Sequence, residues 1–179
     1  MVGRASTATA VALACIAPAS AAAPIPTPIG IGPAFHPTAA SAAVATGKPV
    51  GRLRCNGIRN PQRAHLEIFA RGRVVVVPSG IGISRARACT YGMRTTAPTG
   101  VVEVARGVKA TVGDLFRVWG QPLSRSRLAG FSGRVRAYVA GVPWRGNVRA
   151  IPLARHAQIV LEVGGYVRPH RFFLFGTRG

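Results

Sequence analysis

The stretch 111–122 constrains this chain most, because it carries helix signals at both ends. Thr111 is a good N-cap, and Asp114 is placed to accept a hydrogen bond from the free backbone N–H groups of the first turn. Gly120 can adopt the left-handed conformation that ends a helix, and Pro122 cannot continue one. Between these ends, apolar side chains fall at helical spacing: Val112, Leu115, Phe116 and Trp119. Because such a short helix is not stable alone in water, its apolar stripe must be buried.

The segments on both sides of this helix have patterns typical of β-strands. Arg71-Gly72 and Ala140-Gly141 each resemble the two-residue turn of a hairpin. Three further runs predict strands: Val74–Val77, Val101–Val104 and His156–Val163. This order predicts an α+β domain of the β-grasp type, in which one short helix over 112–119 packs on a mixed sheet of roughly four to five strands.

The N-terminus has the pattern of an export signal. Arg4 precedes a short apolar run, Thr9–Ala19, and small residues allow cleavage after Ala21. Cys15 raises the alternative of a lipid-anchored protein, which the very short apolar run before it disfavours. No later stretch has the ~20 consecutive apolar residues of a membrane-spanning helix. We therefore predict a signal peptide at 1–21 and an exported, soluble mature protein.

Two further regions follow the predicted signal. Residues 22–50 are rich in Pro and Ala and almost uncharged, which predicts a flexible linker. Residues 51–179 form the single predicted domain. Its tail carries Phe172, Phe173 and Phe175, which either cover an open edge of the core or form an exposed aromatic and basic patch.

Removal of the signal leaves two cysteines, Cys55 and Cys89, in an oxidising compartment. We predict a disulfide between them. It closes a loop of about 34 residues and is expected to stabilise the fold by about 3–4 kcal/mol on the loop-entropy model. The alternative, two separate buried thiols, is less common outside the cytosol. A single pair without Cys-x-x-Cys spacing gives no redox signal, so the predicted role is structural.

The formal net charge of +20 arises from 24 Lys and Arg residues against four Asp and Glu residues. One interpretation is a surface that binds a polyanion, such as an anionic cell-envelope polymer or, less favoured, nucleic acid. The alternative is a GC-rich genome, whose codons favour arginine. The candidate polyanion-binding residues are Arg94, Arg106, Arg125, Arg127, Arg134 and Arg136.

Several segments between residues 52 and 175 carry a family resemblance. They are Ala64–Phe69, Val77–Ile83, Cys89–Tyr91, Gly100–Val102, Thr111–Leu123 and Tyr166–His170. Together they resemble a family of uncharacterised exported prokaryotic proteins, and the Trp-Gly-Gln-Pro-Leu helix end is the most specific part. The resemblance implies a topology and a location rather than a reaction.

Typical members of that family carry a His-x-His-x-His-Leu run and a Tyr-x-Leu-His-Thr-His-Asp-x-x-Gly-x-Ile-His-x-Glu run, which imply a transition-metal site. Of the first run this chain keeps only His65, with Pro61 and Arg63 at the earlier places. The second run has lost its ligands, which are replaced by Arg94, Thr96, Ala97, Glu103 and Ala105. The resemblance therefore implies a lost metal centre.

If the metal centre is lost, we expect Arg94 to pair with a nearby carboxylate, Glu103 or Glu67. The alternative is a reduced site that holds one zinc or copper ion. Its candidate ligands are His65, Glu103, His156 and His170.

No catalytic motif is apparent in the sequence. There is no Gly-x-Ser-x-Gly elbow, P-loop or dinucleotide fingerprint, and Asp114 is already assigned to the helix cap. We predict an exported, non-catalytic binding module of the cell envelope that needs no cofactor. The two alternatives are a metal-binding protein with a reduced His/Glu site and a basic polyanion-binding protein.

Overall fold

The computed structural model describes residues 32–38 and 42–176, where helices and strands cover the following ranges. The helices are α1 (Ala42–Ala45), α2 (Val112–Trp119) and a 3-10 helix, Val148–Ala150. The strands are β1 (Gln62–Ala70), β2 (Arg73–Val74), β3 (Ile83–Ser84), β4 (Cys89–Thr90), β5 (Met93–Arg94), β6 (Val101–Val104), β7 (Arg127–Leu128), β8 (Phe131–Ser132), β9 (Val135–Val139), β10 (Val142–Pro143) and β11 (Gln158–Val163).

One mixed sheet of seven strands dominates the described residues. Its order is β10-β9-β11-β1-β6-β5, and β2 also pairs with β1. The central strands β1 and β11 are parallel, whereas the other neighbours are antiparallel. The predicted α+β class is confirmed, but the sheet is larger than the roughly four to five strands expected. The difference comes from strands of two residues, which are too short to show the alternation that identifies a strand in sequence.

The helix predicted from its end signals is confirmed. The Thr111 hydroxyl accepts from the Asp114 N–H at 3.2 Å, and the Asp114 carboxylate accepts from the Thr111 N–H at 3.1 Å. Gly120 ends the helix in the left-handed conformation, with φ of 78°. Trp119 is 1% exposed, and the rest of the apolar stripe is also buried. These capping bonds satisfy backbone groups that α2 leaves without partners.

Both predicted hairpin turns are also present. Arg71-Gly72 joins β1 to β2, and Ala140-Gly141 joins β9 to β10. All of these turn residues have positive φ, which matches the twist of the strands they connect. The last strand begins later than predicted, at Gln158 rather than His156. His156 has a φ of 58° and belongs to a turn, so it cannot continue the strand.

The structure differs from the sequence prediction along the valine run and the segment before it. Strand β2 ends at Val74, and Val75 instead pairs in parallel with Phe35. Phe35 belongs to the predicted flexible linker, 22–50, from which Val44 is fully buried in the core. The described part of that segment therefore contributes to the fold. The predicted signal peptide and the rest of the linker lie outside the described residues.

The predicted disulfide between Cys55 and Cys89 is confirmed, with the two Cα atoms 5.5 Å apart. It ties the segment before β1 to strand β4. Within residues 32–38 and 42–176, no helix is both long enough and apolar enough to cross a membrane.

The large sheet has two different faces. One face packs against α2 and forms the main core, with Leu66 and Ile68 from β1 beside Ile159 and Leu161 from β11. Successive side chains of a strand point to opposite sides, so the residues between these reach the other face. We call this second side the polar face, and its polar members are Arg63, His65, Glu67, Arg94, Glu103, Gln158 and Glu162.

Candidate functional site

All four acidic side chains of this chain are largely shielded from solvent. The exposed fractions of the side chains are 9% for Glu67, 11% for Glu103, 7% for Asp114 and 1% for Glu162. These are the only Asp and Glu residues among the 179. Three of them lie on the polar face, and each of the four has an Arg or His side chain within salt-bridge distance. The charged side chains that the protein exposes to solvent are therefore all cationic.

Glu103 joins two arginines across three strands. Register places Arg63 of β1 and Arg94 of β5 on either side of it. The carboxylate lies 2.8 Å from Arg94 Nε and 3.8 Å from Arg63 Nε. The prediction that Arg94 pairs with a carboxylate is thus confirmed, and Glu103 is the partner. An ion pair occupies the place where the resembled family was expected to hold a cation.

A second cluster brings together two histidines and Glu67. His170 Nδ1 lies 2.8 Å from both oxygens of the Glu67 carboxylate, which accepts its hydrogen bond. His65 Nδ1 is 3.9 Å from the nearer of those oxygens. This contact joins the C-terminal tail to β1, although 103 residues separate His170 from Glu67. Sequence reasoning missed it because nothing in the local pattern at His170 points back to β1.

The ring of His65 is enclosed and uses both of its nitrogens. Burial lowers the pKa of His65, while contacts with Gln158, Glu67 and Thr99 oppose that shift without cancelling it. The ring is therefore neutral at pH 7. Nε2 lies 2.9 Å from the Thr99 carbonyl oxygen, which can only accept, so Nε2 carries the proton.

Nδ1 of His65 is left as an acceptor and lies 2.7 Å from the amide of Gln158, through Oε1. Two acceptors would repel each other at that distance. Turning the amide over places Gln158 Nε2 there as the donor, and this nitrogen otherwise has no hydrogen-bond partner. In that arrangement neither nitrogen of His65 keeps a lone pair free for a metal ion.

Glu162 is the most deeply buried acid on the polar face. Its Oε1 accepts a hydrogen bond from the Val167 N–H at 3.0 Å. Its Oε2 lies 3.4 Å from Arg136 Nε, close enough for an ion pair, but makes no aligned hydrogen bond. Burial raises the pKa of Glu162, and the contacts with Val167 and Arg136 only partly offset this shift.

The aromatic tail covers part of the polar face. Phe173 stacks on His65 with ring centroids 3.7 Å apart, and Phe175 stacks on His156 at 4.8 Å. Phe172, in contrast, is 69% exposed. Two rings of the tail thus stack on histidines, whereas the third faces solvent. Beneath Phe173 lies a mainly apolar cavity of about 290 Å³, lined also by Pro98 and by residues 74–77.

The arginines predicted to bind polyanions fall into two groups. Arg94 and Arg136 pair with the buried glutamates, so part of their charge is offset within the fold. The other members are exposed: Arg106, Arg125, Arg127 and Arg134. Three of these exposed residues lie close in sequence around the β7–β8 hairpin, whereas Arg106 follows β6 at the end of the large sheet.

The four predicted metal ligands do not come together. His65 and His170 meet at Glu67, Glu103 pairs with two arginines, and His156 stacks on Phe175. Among the described residues, no three His, Cys, Asp or Glu side chains are grouped so that they could hold a metal ion. The geometry therefore gives the reduced zinc or copper site no support.

Known proteins give no further guide to the site. No protein-family model, curated protein or solved structure matches the chain. The resemblance drawn from short motifs stays a prediction, and the site has to be interpreted from its own geometry.

Proposed function

We propose that this protein is a non-catalytic binding protein for anionic polymers at the cell envelope. The observation that carries the proposal is the burial of every acidic side chain, which leaves a surface whose exposed charged side chains are all positive. A genomic bias toward arginine would account for many basic residues, but it would not by itself place all four carboxylates inside the fold. A surface of one charge attracts and retains polyanions.

The exported location belongs to the same proposal. The signal-peptide pattern at 1–21 is one support, and the disulfide between Cys55 and Cys89 is a second, because such bonds persist in oxidising compartments. Anionic polymers that carry phosphate are exposed to proteins outside the cytoplasm. We take a phosphate-bearing envelope polymer as the partner and nucleic acid as the competing possibility.

The absence of catalysis is also part of the proposal. The acidic and imidazole groups of the polar face contact partners within the fold, as for Glu103 with Arg94 and His170 with Glu67. A general base needs a lone pair that can reach a substrate. Both nitrogens of His65 contact Gln158 and Thr99 instead.

For the fold, we propose a β-grasp arrangement enlarged by short strands. Its supports are the parallel central pair of β1 and β11, the hairpin that follows β1, and the position of α2 between the first hairpin and the second. An experimental structure that keeps this strand order would support the assignment.

The function can be tested by binding of poly(glycerol phosphate) at several salt concentrations. We expect affinity to fall steeply as salt rises, because binding releases counterions from the polymer. The variant Arg125→Gln, Arg127→Gln, Arg134→Gln should bind more weakly and show a shallower salt dependence. The matched variant with Lys at these three positions keeps the charge and should keep the slope.

Duplex DNA of the same charge serves as the comparison ligand. Equal or tighter binding of DNA would favour nucleic acid as the partner. The proposal is wrong if neither polymer binds, or if binding does not depend on salt.

A further inference from the structure

A small pocket lies where three chain segments meet at one end of the large sheet. β1 and β11 are parallel and begin there, and β6, which is antiparallel to β1, ends there. The residues just outside these strand ends therefore converge. They enclose a cavity of about 290 Å³ lined by Asn60, Gln62, Arg63, Arg106, Arg155 and His156, together with Pro61.

The lining of this pocket is strongly cationic. Arg63, Arg106 and Arg155 come from three different segments, and none of the chain's four carboxylates is part of the lining. Arg63 lies 3.8 Å from Glu103, so part of its charge is offset from the sheet side. No salt bridge to Arg106 or Arg155 occurs among the described residues, and both of these side chains are exposed. Like charges held together in this way repel each other, and an anion between them would relieve that repulsion.

The backbone around the pocket is fixed by local structure. Asn60 and His156, which both line the pocket, have positive φ, at 43° and 58°, so the chain bends sharply at both positions. The His156 N–H donates to the Arg63 carbonyl oxygen at 2.7 Å, which ties the two segments together. The His156 ring stacks on Phe175 of the tail with centroids 4.8 Å apart. The segments that carry Arg63 and Arg155 are therefore joined by a hydrogen bond and do not form independent loops.

We propose that this pocket is a specific site for a phosphate group. Guanidinium groups match phosphate oxygens through paired N–H donors, and three of them suit a tetrahedral oxyanion better than a planar carboxylate with two oxygens. Asn60, Gln62 and His156 add polar side chains to the rim. The cavity volume lies at the lower limit of small-molecule pockets, so it fits one anionic group and not a large ligand. The inference rests on the proposed function where it takes a polymer phosphate as the natural ligand.

Inorganic phosphate tests the site directly. In calorimetric titrations at constant ionic strength, phosphate should bind the purified protein in a saturable way with one site and a Kd of about 1 mM or tighter. Acetate at the same concentration, a planar carboxylate, should bind much more weakly. The variant Arg106→Gln, Arg155→Gln should weaken phosphate binding at least about tenfold, because each change removes a charged hydrogen-bond donor.

The matched control is Arg85→Gln, Arg145→Gln, which removes the same charge from two exposed positions outside the pocket. It should keep the phosphate affinity of the unmodified protein. An equal loss in both variants would mean diffuse attraction and would overturn the site, as would no saturable phosphate binding by the unmodified protein. Unfolding of each variant by urea shows whether it is folded. If the variant with both Arg106 and Arg155 changed does not fold, Arg155→Lys replaces it. Unchanged phosphate affinity in Arg155→Lys would contradict recognition of phosphate by the paired N–H donors of the guanidinium group.

Polymer binding separates this inference from the proposed function. If the unmodified protein binds poly(glycerol phosphate) but not inorganic phosphate, the pocket proposal is wrong and the proposed function stands. If it binds inorganic phosphate but not the polymer, the pocket stands and the proposed function is wrong. If the pocket and the proposed function are both correct, inorganic phosphate should weaken polymer binding to the unmodified protein more than sodium chloride of equal ionic strength does.

Discussion

Glu162 shows at the scale of one residue how an acid is kept inside a protein of high positive charge. Burial raises its pKa above the ordinary value of 4.5, and the Val167 N–H and Arg136 only partly restore the charged form. The folded state therefore holds this proton to higher pH than the unfolded chain does. Between 4.5 and the raised pKa, stability is lost as the pH rises.

The variant Glu162→Gln removes this titration while keeping the shape of the side chain. Below the ordinary pKa of the acid, the unmodified protein and the variant should differ by a constant free energy of unfolding. As the pH rises above about 4.5, the unmodified protein should lose stability relative to the variant. Urea unfolding of both proteins from pH 4 to pH 7 measures the difference. A difference that stays constant, or that changes in the opposite direction, contradicts the raised pKa.

His65 should respond to pH through its own burial. Its pKa is lowered below 6.5, so the folded state favours the neutral ring. The stability gained in this way is complete above pH 6.5 and is lost as the pH falls from 6.5 through the lowered pKa. Phe173→Ala removes the ring that stacks on His65 and lets water approach. We expect the pKa of His65 to move back toward 6.5 in this variant, as followed by NMR of the imidazole protons. Phe172→Ala, which changes an exposed ring, is the control and should leave that pKa unchanged.

At the scale of elements, α2 is the helix around which the main core is arranged. Trp119 and Phe116 lie in that core with ring centroids 5.3 Å apart, and the Trp119 indole N–H also donates to the Thr38 carbonyl oxygen at 2.7 Å. The helix thus links the sheet to the segment that precedes it.

Trp119→Ala should lower the free energy of unfolding by about 3–5 kcal/mol, the usual cost of removing a large buried aromatic side chain. Val142→Ala provides the control, because Val142 is 66% exposed and its change should stay within about 0.5 kcal/mol. Both values come from chemical unfolding curves. A cost near zero for the tryptophan variant would show that α2 does not support the core.

The disulfide is the second element with a measurable contribution. Replacing Cys55 and Cys89 together by Ser should lower the free energy of unfolding by about 3–4 kcal/mol, because the unfolded chain is no longer restricted by a closed loop. Comparison of the oxidised protein, the reduced protein and the variant tests this. If reduction leaves stability unchanged, the bond does not restrain the unfolded chain in the way we expect.

These elements also show what the sequence can predict. Helix α2 and the two hairpin turns depend on neighbouring residues, and the disulfide on the two cysteines that lie outside the predicted signal, so their signals were readable. The pairing of Arg94 with a carboxylate was expected from the resemblance, which left Glu103 and Glu67 both open as the partner. The contact of His170 with Glu67 and the pairing of Phe35 with Val75 were not readable, because the partners are distant in sequence and carry no complementary local pattern.

The basic pocket was missed for a related reason. Arg106 was a candidate from composition, but Arg63 and Arg155 reach it only because β1 and β11 lie in parallel at the centre of the sheet. That pairing joins opposite ends of the domain, and no local period encodes it. Prediction of the site therefore depended on the topology and not on the residue types alone.

At the scale of the whole molecule, the balance of charge sets how stability depends on salt. The carboxylates are buried beside their partners, where screening is weak, while most of the excess positive charge lies at the surface, where screening is strong. Added sodium chloride should therefore stabilise the protein by reducing repulsion among exposed arginines.

We expect the Tm to rise by a few degrees between 50 mM and 500 mM sodium chloride, about the effect of 1 kcal/mol in a chain of this size. The variant Arg125→Glu, Arg127→Glu, Arg134→Glu carries less net charge and should show a smaller rise. Scanning calorimetry at both salt concentrations measures the two shifts. A Tm that falls with salt would mean that attractive pairs outweigh the surface repulsion.

The parallel pairing of β1 with β11 also affects the order in which the protein can fold. His65 and Gln158, which face each other in these strands, are 93 residues apart, so a chain that emerges with its N-terminus first completes the sheet only after β11 has emerged. Contacts of such long range form slowly, because the entropy of closing the loop is lost before they stabilise the structure. During that delay β1 lacks its central partner. A late-closing sheet would suit the export that we propose, because an exported chain passes a translocation channel before it folds.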